Sequence, residues 1–313
     1  MREPRRQLST PLTRAARREV ARFARFPAFA ALAIAALVIV VSLAGITRPA
    51  TYAQETASWR VQAIAQDWVD LVVAAPWLVV AAAASLRGSR RASLLLGSGL
   101  AYTAYAFVVY AFNVHFNQMF LHYCAILGLS VYAMIGLALR LAAEDLGRGF
   151  ANRAPRRTAA ALLTIGAAAT ATMWLLDDVP AVIRDAPPAS LAEAGGATNA
   201  IHVLDLSLAL PALLVSAILL WQRRGSGYLL ATIAMGFCVL MELDVAAIAV
   251  AMRRAGLVAH AGLAYALVAV AGFTAVLLVL LLRALSPQAL RVIADPAHRL
   301  RGYRASRHAH ALH

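Results

Sequence analysis

The chain has 313 residues, of which 62% are apolar and 14% charged, whereas soluble domains carry about 25% charged residues. This composition excludes a soluble globular protein and predicts an integral membrane protein. The formal net charge is +14, but the basic residues, all of them Arg, lie in short connections between apolar stretches. These Arg residues are therefore expected to set the membrane topology and to contact anionic lipid at the cytoplasmic face. No nucleic-acid partner is expected.

The chain begins with a basic amphipathic segment, 1–26, which contains eight Arg with apolar residues at helical spacing. We expect this segment to lie on the cytoplasmic leaflet. Each of the apolar stretches that follow approaches the roughly 20 residues a bilayer requires. They are 27–47, 67–86, 93–114, 119–141, 159–176, 200–221, 227–251 and 257–282. The sequence thus predicts an all-α, polytopic bundle of eight transmembrane helices, followed by a basic cytoplasmic tail, 284–313.

The distribution of Arg predicts the orientation of the bundle. With the N-terminus inside, 24 of the 29 Arg residues fall on the cytoplasmic side. This bias places both termini in the cytoplasm. The longest external connections are then 48–66 and 177–199, and the second is expected to be an ordered loop or a short surface helix. Exclusive use of Arg is typical of a GC-rich bacterial genome, so the expected location is the bacterial cytoplasmic (inner) membrane.

A motif recurs within the chain. Asp70-Leu71 followed by Pro76 and Leu78 returns 135 residues later as Asp205-Leu206, Pro211 and Leu213. An acid and a proline at the same spacing in two apolar segments predict an internal repeat. Because each copy holds four helices, the repeat is expected to be parallel, with four helices in 27–145 and four in 146–283.

Polar residues at membrane depth mark the candidate site, because an acid at mid-helix costs about 2.5–3.5 kcal/mol on insertion scales and normally faces the bundle interior. His202 and Asp205 are three residues apart and share a face, whereas Glu242 and Asp244 are two apart and cannot. One hypothesis places Asp205 and Glu242 in a shared pocket. The candidates for binding a proton or cation, all in the outer halves or outer ends of their helices, are Asp70, His122, His202, Asp205, Glu242, Asp244 and His260.

Several of these residues also have a structural explanation, and His122 and His260, at the outer starts of helices 4 and 8, could simply lie at the membrane interface. Asp70 and Asp205 could stabilise the starts of their helices. Pro76 and Pro211 are interpreted as kinks filled by neighbouring helices, in preference to gating hinges. The second half carries more acids and the first has tyrosines instead, which indicates that one half is the working one.

Three classes of function follow. The first is a proton- or cation-coupled transporter of a small solute or ion. The second is a membrane-embedded enzyme or electron carrier that binds haem or a divalent metal. The third is a structural or assembly protein without chemistry. Carboxylates outnumber any complete ligand set and no cofactor motif occurs, which favours the transporter. The sequence leaves the substrate, the cofactor and the oligomeric state open.

Two resemblances add to this interpretation. A duplicated eight-helix bundle with His on its outer side resembles haem A synthase, which implies haem held by His on helices 2 and 6; here helix 2 offers Asp70 and no His. The chain is also similar to bacterial multi-pass membrane proteins without an assigned activity, which implies fold and location only. The residues that carry this second likeness are Tyr102, Tyr105, Tyr110, Phe112, Phe116, Asn117, Phe120 and Leu121.

Overall fold

The computed structural model describes residues 14–143, 150, 154–257 and 261–285. For residues 14–23, 143, 192, 193 and 261 it describes the backbone alone. The described part of the chain is helical throughout and contains no β-strand, apart from one isolated bridge between Phe150 and Leu285.

Eight of the described helices are long and apolar enough to cross a membrane, which confirms that number. In chain order they are α1 (Arg14–Thr47), α2 (Ala57–Leu86), α3 (Arg90–Asn113), α4 (Phe120–Ala143), α5 (Arg156–Ile183), α6 (Ala200–Trp221), α7 (Gly225–Arg254) and α8 (Ala261–Ala284). Two short elements lie in the long connections, a 3₁₀ turn at Pro49–Tyr52 and a helix at Ala189–Ala194. The fold is that of a multi-pass helical membrane protein.

Three helices extend at one end by seven residues or more beyond the predicted apolar stretches. α2 begins at Ala57, where the Thr56 hydroxyl caps the helix by accepting from the backbone N–H of Trp59 at 3.1 Å. α5 continues to Ile183, so Asp177 and Asp178 lie on a helix and not in the connection expected at 177–199. α1 already runs from Arg14, so no break in the helix marks the boundary expected after residue 26.

The helices pack in a similar order in both halves of the chain. In the first half α1 contacts α2 and α4, α2 contacts α3, and α3 contacts α4. In the second half α5 contacts α6, α6 contacts α7, and α7 contacts α8, with a smaller contact between α5 and α8. The halves meet chiefly where α7 packs against α3 and the first part of α2, and where the start of α6 touches α3.

Both occurrences of the Asp-Leu motif contain a π-helical turn, at Asp70–Ala74 and at Asp205–Ala209. In each turn the carbonyl of the acid accepts a hydrogen bond from the N–H five residues later. A proline follows two residues after each turn, at Pro76 and Pro211. Because proline donates no N–H and its ring collides with the carbonyl four residues earlier, a turn widened by one residue accommodates it within a continuous helix.

The buried apolar core divides between the two halves. A larger cluster joins α1 to α4, and a smaller one joins α5 to α8. Trp77 of α2 packs against both clusters, and its indole Nε1 donates to the Leu95 carbonyl of α3 at 2.7 Å. This direct contact fixes α2 against α3 beside the boundary between the halves.

Candidate functional site

Most of the buried acids lie toward one end of the bundle, which we call the polar end. It is the end at which α2, α4 and α6 begin and at which α1, α3, α5 and α7 finish. The acids meet tyrosine and tryptophan side chains from neighbouring helices there. The sequence predicts that this end faces outward.

Asp67 is the first of these acids and is 1% exposed. The Tyr52 hydroxyl donates to its Oδ2 at 2.7 Å, and the Tyr110 hydroxyl donates to its Oδ1 at 3.0 Å. Gly45 of α1 faces the same carboxylate so closely that a Cβ there would overlap it. Two donors and a tight glycine contact therefore hold Asp67 in a fixed position.

Asp70, less than one helical turn after Asp67, has a different environment. It is also 1% exposed, yet neither carboxylate oxygen has a hydrogen-bond partner among the described residues. The Tyr102 hydroxyl of α3 faces it without reaching hydrogen-bond geometry. Asp244 of α7 is buried within electrostatic reach of Asp70, and its Oδ1 likewise has no described partner. The three polar groups thus converge from α2, α3 and α7 without saturating one another.

Asp67, Asp70 and Asp244 lie within electrostatic reach of one another inside the bundle. No Arg or His within the described ranges forms an ion pair with any of these three acids. Each carboxylate oxygen of Asp67 has a donor, but both of Asp70 and at least one of Asp244 have none. Burial of an ionised carboxylate without a counter-charge is unfavourable, so Asp70 and Asp244 are suited to take up a proton or a cation.

Asp205 occupies the same place in the second motif as Asp70 in the first, but its carboxylate is satisfied. The Tyr105 hydroxyl of α3 donates to Oδ1 at 2.9 Å, and the Trp174 indole Nε1 of α5 donates to Oδ2 at 2.7 Å. Asp205 is 9% exposed. Its side chain therefore ties α6 to two neighbouring helices.

Glu242 faces α8, where the Thr274 hydroxyl donates to its Oε1 at 3.2 Å and its Oε2 has no described partner. Asp244 instead reaches the acids and Tyr102 on the side of α2 and α3, so the two acids point to different neighbours, as their spacing predicted. The structure does not bring Glu242 and Asp205 into hydrogen-bond contact, because each has its own partners on other helices. The hypothesis of a pocket shared by these two residues gains no support.

His202 lies at the start of α6, where its ring Nδ1 is 2.9 Å and 3.1 Å from the two carboxylate oxygens of Asp178 on α5. The ring also packs against Trp174, with ring centroids 4.1 Å apart and an angle of 31° between the ring planes. The neighbouring acid, Asp177, accepts a hydrogen bond from the Ser190 hydroxyl at 2.5 Å. Asp177, Asp178 and His202 each offer one ligand atom, and these atoms all lie within 4.8 Å of one another.

The other two histidines that the structure describes, His115 and His122, do not belong to this cluster. His122 is half-buried on α4, and its Nδ1 has no partner in the described part of the chain. His115 pairs with Glu55, whose carboxylate is 3.0 Å from its ring Nδ1. His260 lies outside the described residues. Asp70 and Asp244 thus lie within electrostatic reach of each other, and His202 belongs to a separate cluster.

The resemblance to haem A synthase implies haem between His residues of helices 2 and 6, and the residues present do not fit this arrangement. α2 carries Asp70 where a His ligand would be needed. On α6, His202 directs its ring Nδ1 to Asp178, but no His of α2 is available as the second ligand. The site therefore consists of carboxylates and hydroxyls, which bind protons and hard cations.

No protein-family model, no curated protein and no solved structure matches this chain. The functional argument therefore rests on the contacts of its own residues.

Proposed function

We propose that the protein is a membrane carrier that binds a proton or a small cation at Asp70 and Asp244 and couples this binding to the movement of a small solute or ion. The observation that carries the proposal is the pair of buried carboxyl groups with unsatisfied oxygens, one from each half of the chain. The eight apolar helices that surround the pair fit a membrane protein.

The energetic argument separates these two acids from the other buried ones. Asp67 and Asp205 each accept two hydrogen bonds, which stabilise a buried carboxylate. Asp70 accepts none from the described residues. A buried charge without partners is more costly than a protonated acid or a carboxylate bound to a cation. Asp70 therefore has the strongest reason to bind an ion, and the nearby Asp244 adds a second ligand group.

The position of the pair supports coupling between ion binding and movement. Asp70 lies on α2 of the first half, and Asp244 lies on α7 of the second, at the packed boundary between the halves. Two carboxylates repel each other across this boundary, whereas a bound proton or cation removes the repulsion. A change in occupancy thus alters the free energy of contact between the halves, which is the boundary that moves in carriers built from repeats.

The π turn gives α2 a further feature suited to this role. Asp70 is the first residue of the turn, and π turns are frequent at functional sites. A locally widened helix has a weaker hydrogen-bond ladder than a regular one, so it can adjust its backbone when the charge of the adjacent acid changes. Asp70 therefore combines an unsatisfied side chain with an adaptable backbone.

The proposal is tested by infrared difference spectroscopy on the full chain in lipid. Changes of pH, or exchange of choline for Na⁺, Li⁺ or K⁺, should produce carboxyl bands from Asp70 and Asp244. We expect Asp70→Asn and Asp244→Asn each to remove most of this signal. Asp205→Asn is the matched control, because it changes the equivalent acid of the second motif, which already has two donors. That variant should keep the signal.

Transport is then measured in proteoliposomes that contain a pH-sensitive dye and carry an imposed proton or alkali-cation gradient. Wild type and Asp205→Asn should dissipate the gradient, and Asp70→Asn and Asp244→Asn should do so at least tenfold more slowly. Gel filtration and circular dichroism establish that each variant is folded. Equal carboxyl signals and equal fluxes in all four proteins would contradict the proposal.

A further inference from the structure

We propose that Asp177, Asp178 and His202 form a binding site for a divalent transition metal ion of the zinc class, separate from the interior acids. The ligand atoms of the three residues lie within 4.8 Å of one another. Among the described residues they are the one group of three His, Cys, Asp or Glu side chains gathered so closely. The site joins the end of α5 to the start of α6.

The donor set indicates which metal the site takes. One imidazole nitrogen and two carboxylates are ligand types that zinc accepts, and three ligands leave a fourth position open, whereas calcium and magnesium sites use oxygen donors. Tetrahedral ligands at about 2.0–2.2 Å from zinc are about 3.3–3.6 Å apart. His202 Nδ1 is already 2.9 Å from Asp178 Oδ1, so an ion needs these atoms to separate by less than about 1 Å.

The residues around the ligands hold them in place, as the outer hydrogen-bond partners of ligands do in metal sites. The Ser190 hydroxyl donates to one oxygen of Asp177, and the Trp174 ring packs against the imidazole of His202. The Asn199 side chain caps α6 by accepting from the backbone N–H of His202 at 3.2 Å. Ser190, Trp174 and Asn199 therefore fix the orientation of two of the ligands, Asp177 and His202.

Charge and access agree with this assignment. No Arg in the described ranges forms an ion pair with Asp177 or Asp178, so the two carboxylates lack a full counter-charge. A divalent cation bound between the two carboxylates supplies this counter-charge. An open groove of about 820 Å³ is lined by Asp178, Asn199 and His202 and gives an ion a path from the solvent.

Zinc binding is measured on the detergent-purified full chain without a histidine affinity tag. Because the tail histidines could also bind metal, the background protein carries His308→Ala, His310→Ala and His313→Ala. Competition with a chromophoric chelator gives the stoichiometry and affinity. Replacement by Co²⁺ gives an absorption spectrum that reports the number of ligands and the presence of nitrogen. We expect one zinc ion per chain and the intense visible bands of four-coordinate cobalt.

The variants Asp177→Asn, Asp178→Asn and His202→Gln should each weaken zinc binding at least tenfold and reduce the cobalt bands. Asp185→Asn is the matched control, because Asp185 lines the same groove without belonging to the ligand group. It should bind zinc with wild-type affinity. Asp177→Asn changes a half-buried residue, so it keeps the test valid if loss of His202 prevents folding.

Two results would overturn the proposal. One is the absence of stoichiometric zinc once the tail histidines are replaced. The other is wild-type zinc affinity in folded Asp177→Asn and Asp178→Asn proteins, which would leave Asp178 and His202 as a simple ion pair between α5 and α6.

Discussion

Gly45→Ala is the substitution whose effect follows most directly from the geometry of the polar end. Gly45 lies on α1, and a Cβ there would overlap the carboxylate of Asp67 and approach Cε2 of Tyr52 to 2.8 Å. The tyrosine ring is almost completely buried and cannot move aside freely. The added methyl group must therefore displace Asp67 or push α1 away from α2.

The expected cost is the sum of opposing contributions. Overpacking of a buried contact costs about 1–3 kcal/mol. Displacement of Asp67 also removes the acceptor of Tyr52 or Tyr110, and a hydrogen bond to a charged group contributes about 1.5–3 kcal/mol. Alanine has a higher helix propensity than glycine, by about 1 kcal/mol. The net destabilisation is therefore about 2–5 kcal/mol.

The assay is reversible unfolding in mixed micelles of a mild detergent and dodecyl sulfate, followed by circular dichroism. Gly128→Ala is the matched control, because it lies in a membrane helix and a Cβ there meets no atom within 4 Å. Its stability should stay within about 1 kcal/mol of wild type. Equal unfolding midpoints for Gly45→Ala and Gly128→Ala would refute the close contact between α1 and Asp67.

Two further predictions concern the second half of the chain and the orientation. Trp174→Phe removes the indole donor to Asp205 and should lower the free energy of unfolding by about 1–3 kcal/mol. Trp221→Phe, at a site 57% exposed, is the control and should change this free energy by less than about 0.5 kcal/mol. Equal losses in the two variants would contradict the role of the Trp174 indole. In a background without the native cysteines, Ala189→Cys and Ser226→Cys should react with a membrane-impermeant thiol reagent from opposite sides of the membrane, Ala189→Cys from outside. Labelling of both from the same side would contradict the orientation predicted from the Arg residues.

The membrane helices could be predicted from the sequence because length and apolarity determine them locally. Errors occurred where polar residues belong to a helix. Asp67 was missed as a site residue because it marked the start of the apolar stretch, although α2 begins at Ala57. Asp177 and Asp178 were assigned to a connection because acids and Pro180 indicated its start, yet α5 continues through that proline to Ile183. Local polarity thus made the predicted helices too short, at the start of α2 and at the end of α5.

The partners of the acids could not be predicted, because they come from distant parts of the chain. Asp205 accepts a hydrogen bond from Tyr105, 100 residues away, and Asp70 lies within electrostatic reach of Asp244 across the boundary between the halves. Helical spacing determines which residues share a face of one helix, but not which neighbouring helix that face contacts. In the sequence the tyrosines of α3 stand out only as a contrast to the acids of the second half. In the structure these tyrosines lie beside the buried acids.

The two motifs show how one local structure supports different roles. Asp70 and Asp205 each begin a π turn of five residues, so the two backbones present their side chains in the same way. Their environments differ because Asp205 has two donors from neighbouring helices, whereas Asp70 has none in the described part of the chain. The second half, which is richer in acids, places Asp244 within electrostatic reach of Asp70, the unsatisfied acid of the first half. If the site binds an ion, neither half is the working one by itself, because its two ligand groups belong to different halves.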